Sequence, residues 1–277
     1  MAGQISAIKK RLKSVNSTKK LTNATELVAT VKLQKYNNKA ISNYDYASSL
    51  VELVKVALKS YRLEVENNPY LTSADVDNPL YIVITSNSGL CGTYNNDILR
   101  YIENNVRKDA PIFAIGTIGY NYLMKNNYLV VKKYDELEDL QPRILNNLID
   151  NIMYLFAKNE ISEINVVYTK YINTLTYEPS MIKLLPIDDE TDEKLDTLLE
   201  PSRDEIINTL IPMYISSQIY IAYLEAKTSE NAARRNAMNL ANKNADELID
   251  QLQLSYNKAR QAAITQEMNE IIANDRR

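Results

Sequence analysis

The segment ITSNSGLCGTYN at residues 84–95 is the one glycine-bearing turn between a predicted strand and a predicted helix that could hold a ligand. It lacks the G-x-x-x-x-G-K-[ST] spacing of a phosphate loop, the leading Gly-x-Gly of a dinucleotide fingerprint and the G-x-S-x-G of a nucleophile elbow. The segment GTIGYN at 116–121 is a turn into a helix and an equally weak signal. We therefore predict that residues 84–95 form a structural turn that packs on a neighbouring element.

Cys91, within the first of these segments, is the chain's single cysteine, and the chain has no histidine. A thiol near a helix N-terminus can have a lowered pKa, but here no imidazole can act as its base. Ser-His and Cys-His nucleophile systems, His-containing zinc sites and all-Cys metal sites are thereby excluded within this chain. What remains for chemistry is carboxylates, Lys, Tyr or a bound cofactor.

Length and composition bound the class of protein. The chain has 277 residues, 45% of them hydrophobic, and a net charge of −3, which gives no global reason to expect nucleic acid. No run approaches the roughly 18 apolar residues of a membrane span, and the N-terminus lacks the apolar core of a secretory signal. Only Arg11 precedes Arg62, which disfavours an organelle transit peptide. A lone cysteine suits a reducing compartment, so we expect a cytoplasmic location.

The N-terminal segment predicts one long helix. Residues 1–66 contain no Gly after Gly3 and no Pro, and the pattern breaks at Asn67, Asn68 and Pro69. Such a helix spans roughly 90 Å at about 1.5 Å per residue. Its apolar residues have heptad spacing, and we expect the stripe to move sideways after the fourth turn. The first set is Ile5, Ile8, Leu12 and Val15, and the second is Leu21, Ala24, Val28 and Val31.

The middle of the chain alternates between short runs rich in Ile, Val and Tyr and helical stretches. This alternation predicts a mostly parallel sheet covered by helices. Predicted strands lie at 80–86, 111–116, 128–133, 164–171 and 176–186, and predicted helices near 94–107, 117–126 and 141–158. The acidic run at 187–196 reads as a solvated loop.

A second long helix is predicted from residue 202. Ser202 and Glu205 have capping-box spacing, and Pro212 is expected to kink the helix about two turns in. From Met213 to Ala273 there is no further Pro or Gly. Its narrow apolar stripe consists of Ala237, Ala241, Ala245, Leu248, Leu252, Tyr256, Ala259 and Ala263.

These elements predict an α/β fold in which the N- and C-terminal helices form a long antiparallel coiled coil beside a Rossmann-like, mostly parallel sheet domain. The expected bounds are 1–66 for the N-terminal shaft helix, 70–200 for the α/β domain and 202–277 for the C-terminal shaft helix. The alternative is that both helices are amphipathic and fold onto the domain. A coiled-coil scaffold and an α/β enzyme that uses the 84–95 loop stay open as functions.

The N-terminal helix is locally basic, which makes an acidic partner surface plausible. Nucleic acid fits less well, because the first 35 residues contain no aromatic side chain to stack on bases. The first 40 residues contain nine basic residues and a single acidic one, Glu26, which gives this segment a net charge of +8. The basic residues are Lys9, Lys10, Arg11, Lys13, Lys19, Lys20, Lys32, Lys35 and Lys39.

Three blocks of this sequence resemble the gamma subunit of rotary ATP synthases, the rotor of the central stalk. They are IKKRLKSVNSTKKLTNATELVATVKLQK (8–35, with Thr25 where a Met is usual), ITSNSGLCGTYN (84–95, with Asn87 and Ser88 for a charged pair) and NAMNLANKNADELIDQLQLSYNKARQAAITQEMNEI (236–271). They occur in the family's order and span the chain.

The resemblance implies a non-catalytic subunit that needs no cofactor and binds no metal. The paired helices would form a shaft inside a ring of alpha and beta subunits that carries out the ATP chemistry. The α/β domain would meet the epsilon subunit and the membrane rotor ring on the cytoplasmic side of a bacterial cell membrane. Arg260, Gln261 and Thr265 would take the positions that contact a beta-subunit catch loop, and Lys9, Lys10, Arg11 and Lys13 would face acidic levers of the ring.

The C-terminal tip departs from the family pattern. Ile264, Thr265, Glu267 and Glu270 are kept, but Asn274 and Asp275 replace a Gly-Ala pair and Arg276 and Arg277 follow. Desolvating these charges would cost several kcal/mol per unpaired ion, so we expect the tip to lie in solvent or a polar mouth. The departure leaves open a specialised rotary ATPase that is not coupled to a proton channel. Rotation direction, coupling ion and whether synthesis or hydrolysis is physiological also stay open.

Overall fold

The computed structural model describes residues 2–60, 76–134, 141–187 and 203–274. Its elements, in chain order, are α1 (Ala2–Ser60), β1 (Pro79–Ile84), α2 (Tyr94–Asn105), β2 (Ile112–Ile115), α3 (Thr117–Lys125), β3 (Val130–Tyr134), α4 (Pro142–Ala157), β4 (Glu163–Tyr171), β5 (Tyr177–Leu185) and α5 (Arg203–Asn274).

Backbone contacts divide the chain into two compact units. Unit 1 comprises the described residues of Met1–Thr30 and Arg234–Arg277, and unit 2 comprises those of Val31–Ala233. The sheet belongs to unit 2. The domain bounds expected from the sequence, 1–66, 70–200 and 202–277, remain a prediction.

Unit 2 contains a five-stranded sheet in the order β3-β2-β1-β4-β5. The pairs β1–β2, β1–β4 and β2–β3 are parallel, and β4–β5 is antiparallel. Every residue of β1, PLYIVI, is buried, as expected for a central parallel strand covered on both faces. The mostly parallel sheet predicted from the alternating pattern is therefore confirmed, with each strand boundary within two residues of its expected position.

Side chains of successive residues in β1 enter two different layers, because strand side chains alternate between faces. Leu80, Ile82 and Ile84 pack with residues of α4, α1 and α5, whereas Tyr81 and Val83 pack with residues of α2 and α3. Within unit 2 the long helices thus cover one face of the sheet. The portions of α1 and α5 that belong to unit 2 therefore pack on the sheet domain, as the alternative reading of the terminal helices expects.

In unit 1, α1 and α5 pair in antiparallel fashion, as predicted. Polar contacts join residues 19, 22 and 26 of α1 to residues 246, 242 and 239 of α5, so partner numbers fall along α5 as they rise along α1. The predicted α5 stripe is also confirmed, since each of its eight positions from Ala237 to Ala263 is half-buried or buried. Small side chains on this seam let the two helix backbones approach closely.

The predicted sideways shift of the α1 stripe is wrong. Leu21, Val28 and Val31 are 67%, 55% and 65% exposed, and Ala24 is exposed as well. The inward positions instead keep their 3–4 spacing from Val15 onward. They are Lys19, Thr22, Glu26 and Ala29, followed in unit 2 by Leu33 and Tyr36. Polar residues thus occupy inward positions while apolar residues face outward.

Several sequence-based predictions fall outside the described residues. These are the end of the N-terminal helix at 61–66, all but the first residue of the acidic run at 187–196, Ser202 of the capping box, and Asp275, Arg276 and Arg277 of the tip. Pro212 lies inside α5, which continues on both sides of it. No helix in the described ranges is long and apolar enough to cross a membrane.

Candidate functional site

The four basic residues predicted to contact a partner lie near the start of α1. Lys9, Lys10, Arg11 and Lys13 are all exposed. Ile8, which precedes them, and Leu12, which lies among them, are half-buried, because they occupy the inward positions of the helix pair. The apolar residues therefore hold α1 to α5, and the interleaved positions present cationic groups to solvent.

The three residues predicted to contact a catch loop lie on α5. Arg260, Gln261 and Thr265 are exposed, and the Thr265 hydroxyl donates a hydrogen bond to the Gln261 carbonyl at 3.0 Å. Ala259 and Ala263, half-buried at the seam, fix which side of α5 faces α1. The guanidinium, amide and hydroxyl groups are thus displayed away from the seam.

The antiparallel pairing brings these two groups to the same stretch of unit 1. Lys19 lies opposite Asp246, and both helices advance about 1.5 Å per residue, so residue 5 is level with roughly residue 260. Lys9 and Arg260 therefore lie about one turn apart along the pair. Thr265 lies past the first residues of α1 in this register. The sequence predicted both groups but not their alignment.

Sequence reasoning missed a polar cluster within the seam, which we call the polar seam. It comprises Lys19, Thr22, Glu26, Asn239, Asn242 and Asp246. Asn242 donates to Glu26 Oε2 at 2.6 Å and Asn239 donates to Glu26 Oε1 at 3.1 Å, so both carboxylate oxygens are used. Thr22 donates to Asn242, and Lys19 pairs with Asp246.

The polar seam specifies how the helices align. Asn242 is only 8% exposed, so sliding the helices by a turn would leave its amide buried without these partners. One signal in the sequence could have revealed it. The 3–4 spacing that begins at Ile5, if continued without a break, reaches Lys19, Thr22 and Glu26, although such polar residues are typical of a surface.

The turn at 84–95 packs on a neighbouring element, as predicted. The Tyr94 hydroxyl donates to the Ala226 carbonyl of α5 at 3.2 Å, and Cys91, Tyr94 and Ala233 form a buried cluster. Tyr177 of β5 packs against Tyr94 in a tilted arrangement, with ring centroids 6.1 Å apart and ring planes inclined by 58°. The contacts of the turn are those of a structural element that joins α2, β5 and α5.

Cys91 is poorly placed for nucleophilic chemistry. It is 2% exposed, and its Sγ accepts a hydrogen bond from the Asn95 side-chain amide at 3.1 Å. A buried thiol that accepts an amide hydrogen bond packs as a small apolar group and cannot meet a substrate without local opening.

Two glycines allow the second turn to approach the first. Gly116 has a φ of +101°, and a Cβ there would lie 2.3 Å from the Thr85 carbonyl oxygen. Gly119 donates its N–H to Thr85 Oγ1 at 2.9 Å, and a Cβ there would lie 2.5 Å from that oxygen. The segment GTIGYN thus starts α3 and packs directly on the end of β1.

Comparison with known proteins gives consistent matches along nearly the whole chain. The family model described as ATP synthase matches residues 4–274. The ATP synthase gamma chain of Lachnoclostridium phytofermentans is 39% identical, with 96% of each chain covered. That of Clostridium beijerinckii is 36% identical, with 96% of this chain and 95% of the relative covered.

A similar fold occurs in a solved structure, the rotor of the Euglena gracilis mitochondrial ATP synthase. The TM-score is 0.64 at 16% sequence identity, and the match covers 95% of this chain and all of the other. At this identity the likeness shows the fold alone.

Proposed function

This chain belongs to the ATP synthase gamma-chain family, and from that premise we propose that it is the central rotor shaft of a rotary ATP synthase or ATPase. The observation that carries the proposal is the family match over residues 4–274, which spans both long helices and the sheet. As a rotor, the chain would couple its rotation to nucleotide turnover in a surrounding ring of alpha and beta subunits.

The geometry of unit 1 suits a shaft. A seam of small residues keeps the helix pair slim, and the polar seam opposes sliding of one helix along the other. The outward side chains of α1 include both the basic residues near its start and the exposed Leu21 and Val28. A helix pair with such a surface can be enclosed by other subunits, and it does not need a large buried core of its own.

We propose two partner contacts on this unit. Lys9, Lys10, Arg11 and Lys13 would meet acidic groups of the ring through exposed ion pairs worth about 0.2–1 kcal/mol each, weak enough to break and re-form during rotation. Arg260, Gln261 and Thr265 would contact a beta-subunit loop. Unit 2 would bind the epsilon subunit and, in a conventionally coupled enzyme, the membrane rotor ring on the cytoplasmic side of a bacterial membrane.

We further propose that the chain itself is not catalytic. It contains no histidine, its one thiol is buried, and residues 84–95 make the contacts of a structural turn. The assay is ATP hydrolysis by the purified chain, for which no turnover is expected. Turnover that Cys91→Ala abolishes would instead support an α/β enzyme using that loop.

The partners can be tested by affinity capture of the chain at its native expression level. Alpha- and beta-type ATPase subunits should co-purify in a complex that hydrolyses ATP. Recovery of a stable assembly without them would favour a coiled-coil scaffold.

A rotor not coupled to a proton channel remains the alternative, because Asn274 and Asp275 replace the family's Gly-Ala pair. Proton uptake into vesicles that contain the assembled complex and its membrane sector distinguishes the two. ATP-driven acidification supports conventional coupling, and ATP hydrolysis by these vesicles without acidification supports the alternative.

A further inference from the structure

A cleft in unit 2, separate from the proposed partner contacts on unit 1, has the lining of a cation site. Its volume is about 320 Å³, at the lower end of the range for small-molecule pockets. Three elements form it: α1, the end of β4 and α5. The lining residues are Asn37, Ala40, Ile41, Tyr44, Asp45, Tyr171, Glu225 and Thr228.

The charges on this lining are one-sided. Asp45 and Glu225 supply two carboxylates, and the lining contains no Lys or Arg. Tyr44 and Tyr171 supply aromatic rings, whose faces attract cations. The cationic side chain that acts on Glu225 is that of Lys170, which is outside the cleft lining.

Glu225 is the most constrained of these groups. Its Oε2 is closed to solvent and has no hydrogen-bond partner in the described part of the chain. Burial raises the pKa of Glu225, and the positive charge of Lys170 opposes this shift. A carboxylate oxygen without a donor is costly in a folded protein.

A donor within the cleft could relieve this cost. The terminal torsion of a Glu side chain is soft, so the carboxylate can turn toward a group that enters beside it. An ammonium or guanidinium group carries the positive charge that the lining lacks together with several N–H donors, and such charge-assisted bonds are stronger than neutral ones.

We propose that this cleft binds an alkylammonium or guanidinium group, with Glu225 and Asp45 as the anionic partners and Tyr44 and Tyr171 as the flanking rings. The cation can be a free organic amine or the end of a Lys or Arg side chain from a partner subunit. Both sources share the chemistry that the lining recognises.

The test uses the full-length purified chain with methylguanidinium and n-butylammonium as probes and N-butylacetamide as an uncharged control. Calorimetry should show saturable binding of the cations and none of the amide. Glu225→Gln should weaken binding about tenfold or more, because it removes a charge-assisted contact of about 1.5–3 kcal/mol. Glu52→Gln is the matched control: it removes an exposed carboxylate elsewhere on α1 and should leave the affinity unchanged.

The same titration of the assembled complex distinguishes the two sources. Binding retained in the complex identifies a site for a free amine, and binding lost on assembly identifies a partner side chain in the cleft. Absence of saturable binding to the isolated chain, or equal affinities for wild type and Glu225→Gln, overturns the proposal. Circular dichroism of each variant shows whether it remains folded, and Tyr44→Ala, at an exposed position, supplies a second variant whose loss of the ring should also weaken binding.

Discussion

At the scale of single residues, the two turns at the carboxyl end of the sheet depend on glycine for different reasons. Gly116 needs a positive φ and contacts the Thr85 backbone, whereas Gly119 only makes room for the Thr85 side chain. A Cβ at Gly89 would meet no atom within 4 Å, and its φ is not in the positive range. The sequence indicated turns at these glycines, but it could not show which of them is under steric constraint, because the constraint comes from residue 85 of another segment.

Gly116→Ala should therefore destabilise the protein by roughly 1–3 kcal/mol or more, since it combines an unfavourable φ with a backbone clash. Gly89→Ala should change the free energy of unfolding by no more than about 0.5 kcal/mol. Denaturant unfolding of both variants measures the difference. Equal stabilities would show that the close approach to Thr85 is not required.

The basic residues of α1 give a second residue-scale prediction. Reversing the charges of Lys9, Lys10 and Arg11 to Glu should weaken assembly or slow ATP turnover of the complex. The defect should be largest at low ionic strength, because salt screens exposed charges. Lys55→Glu, an exposed position of α1 in unit 2, is the control. Unchanged turnover at low ionic strength would argue against contacts between this basic surface and the ring.

At the scale of elements, the sequence predicted types and boundaries well where patterns were local. The runs rich in Ile and Val, separated by Gly, Pro and polar residues, indicated every strand of the sheet within two residues. The prediction for the α1 stripe is wrong because it equates hydrophobicity with burial. Lys19, Thr22 and Glu26 occupy inward positions, and their polarity is satisfied by residues of α5 more than 200 positions away.

The polar seam leads to the element-scale prediction. Glu26→Ala removes the acceptor for two amides and leaves the buried Asn242 N–H group without it, which should cost about 1–3 kcal/mol. Glu52→Ala, an exposed site on the same helix, should have little effect. Thermal unfolding monitored by helical circular dichroism compares the two. Matching melting temperatures would mean that the polar seam adds no stability to the pairing.

At the scale of the whole molecule, the function was inferred from three sequence blocks and their order along the chain, and not from any single site. The resemblance to the gamma family and the later comparisons agree over nearly the full chain. The amine-binding cleft could not be found in this way. Asp45, Tyr171 and Glu225 are distant in sequence and meet only because α1, β4 and α5 fold together.

The charged tip gives a prediction for the assembled complex. Deleting residues 274–277 should leave assembly and ATP turnover nearly intact. An apolar bearing would have to desolvate the charged residues of the tip, and this cost is too high for the tip to act as a bearing surface. Truncation before Ala259 should impair both, since it removes Arg260, Gln261, Thr265 and part of the seam. Loss of turnover on the four-residue deletion alone would show that the tip is a working bearing.

Rotation of this chain inside the ring is the central claim, and single-molecule observation tests it most directly. A bead would be attached at Asn104→Cys, an exposed position of α2, in a Cys91→Ala background, with the alpha and beta subunits fixed to a surface. We predict continuous rotation in one direction that requires ATP and stops when ATP is removed. An immobilised complex that hydrolyses ATP at full rate while the labelled chain stays stationary would contradict the account.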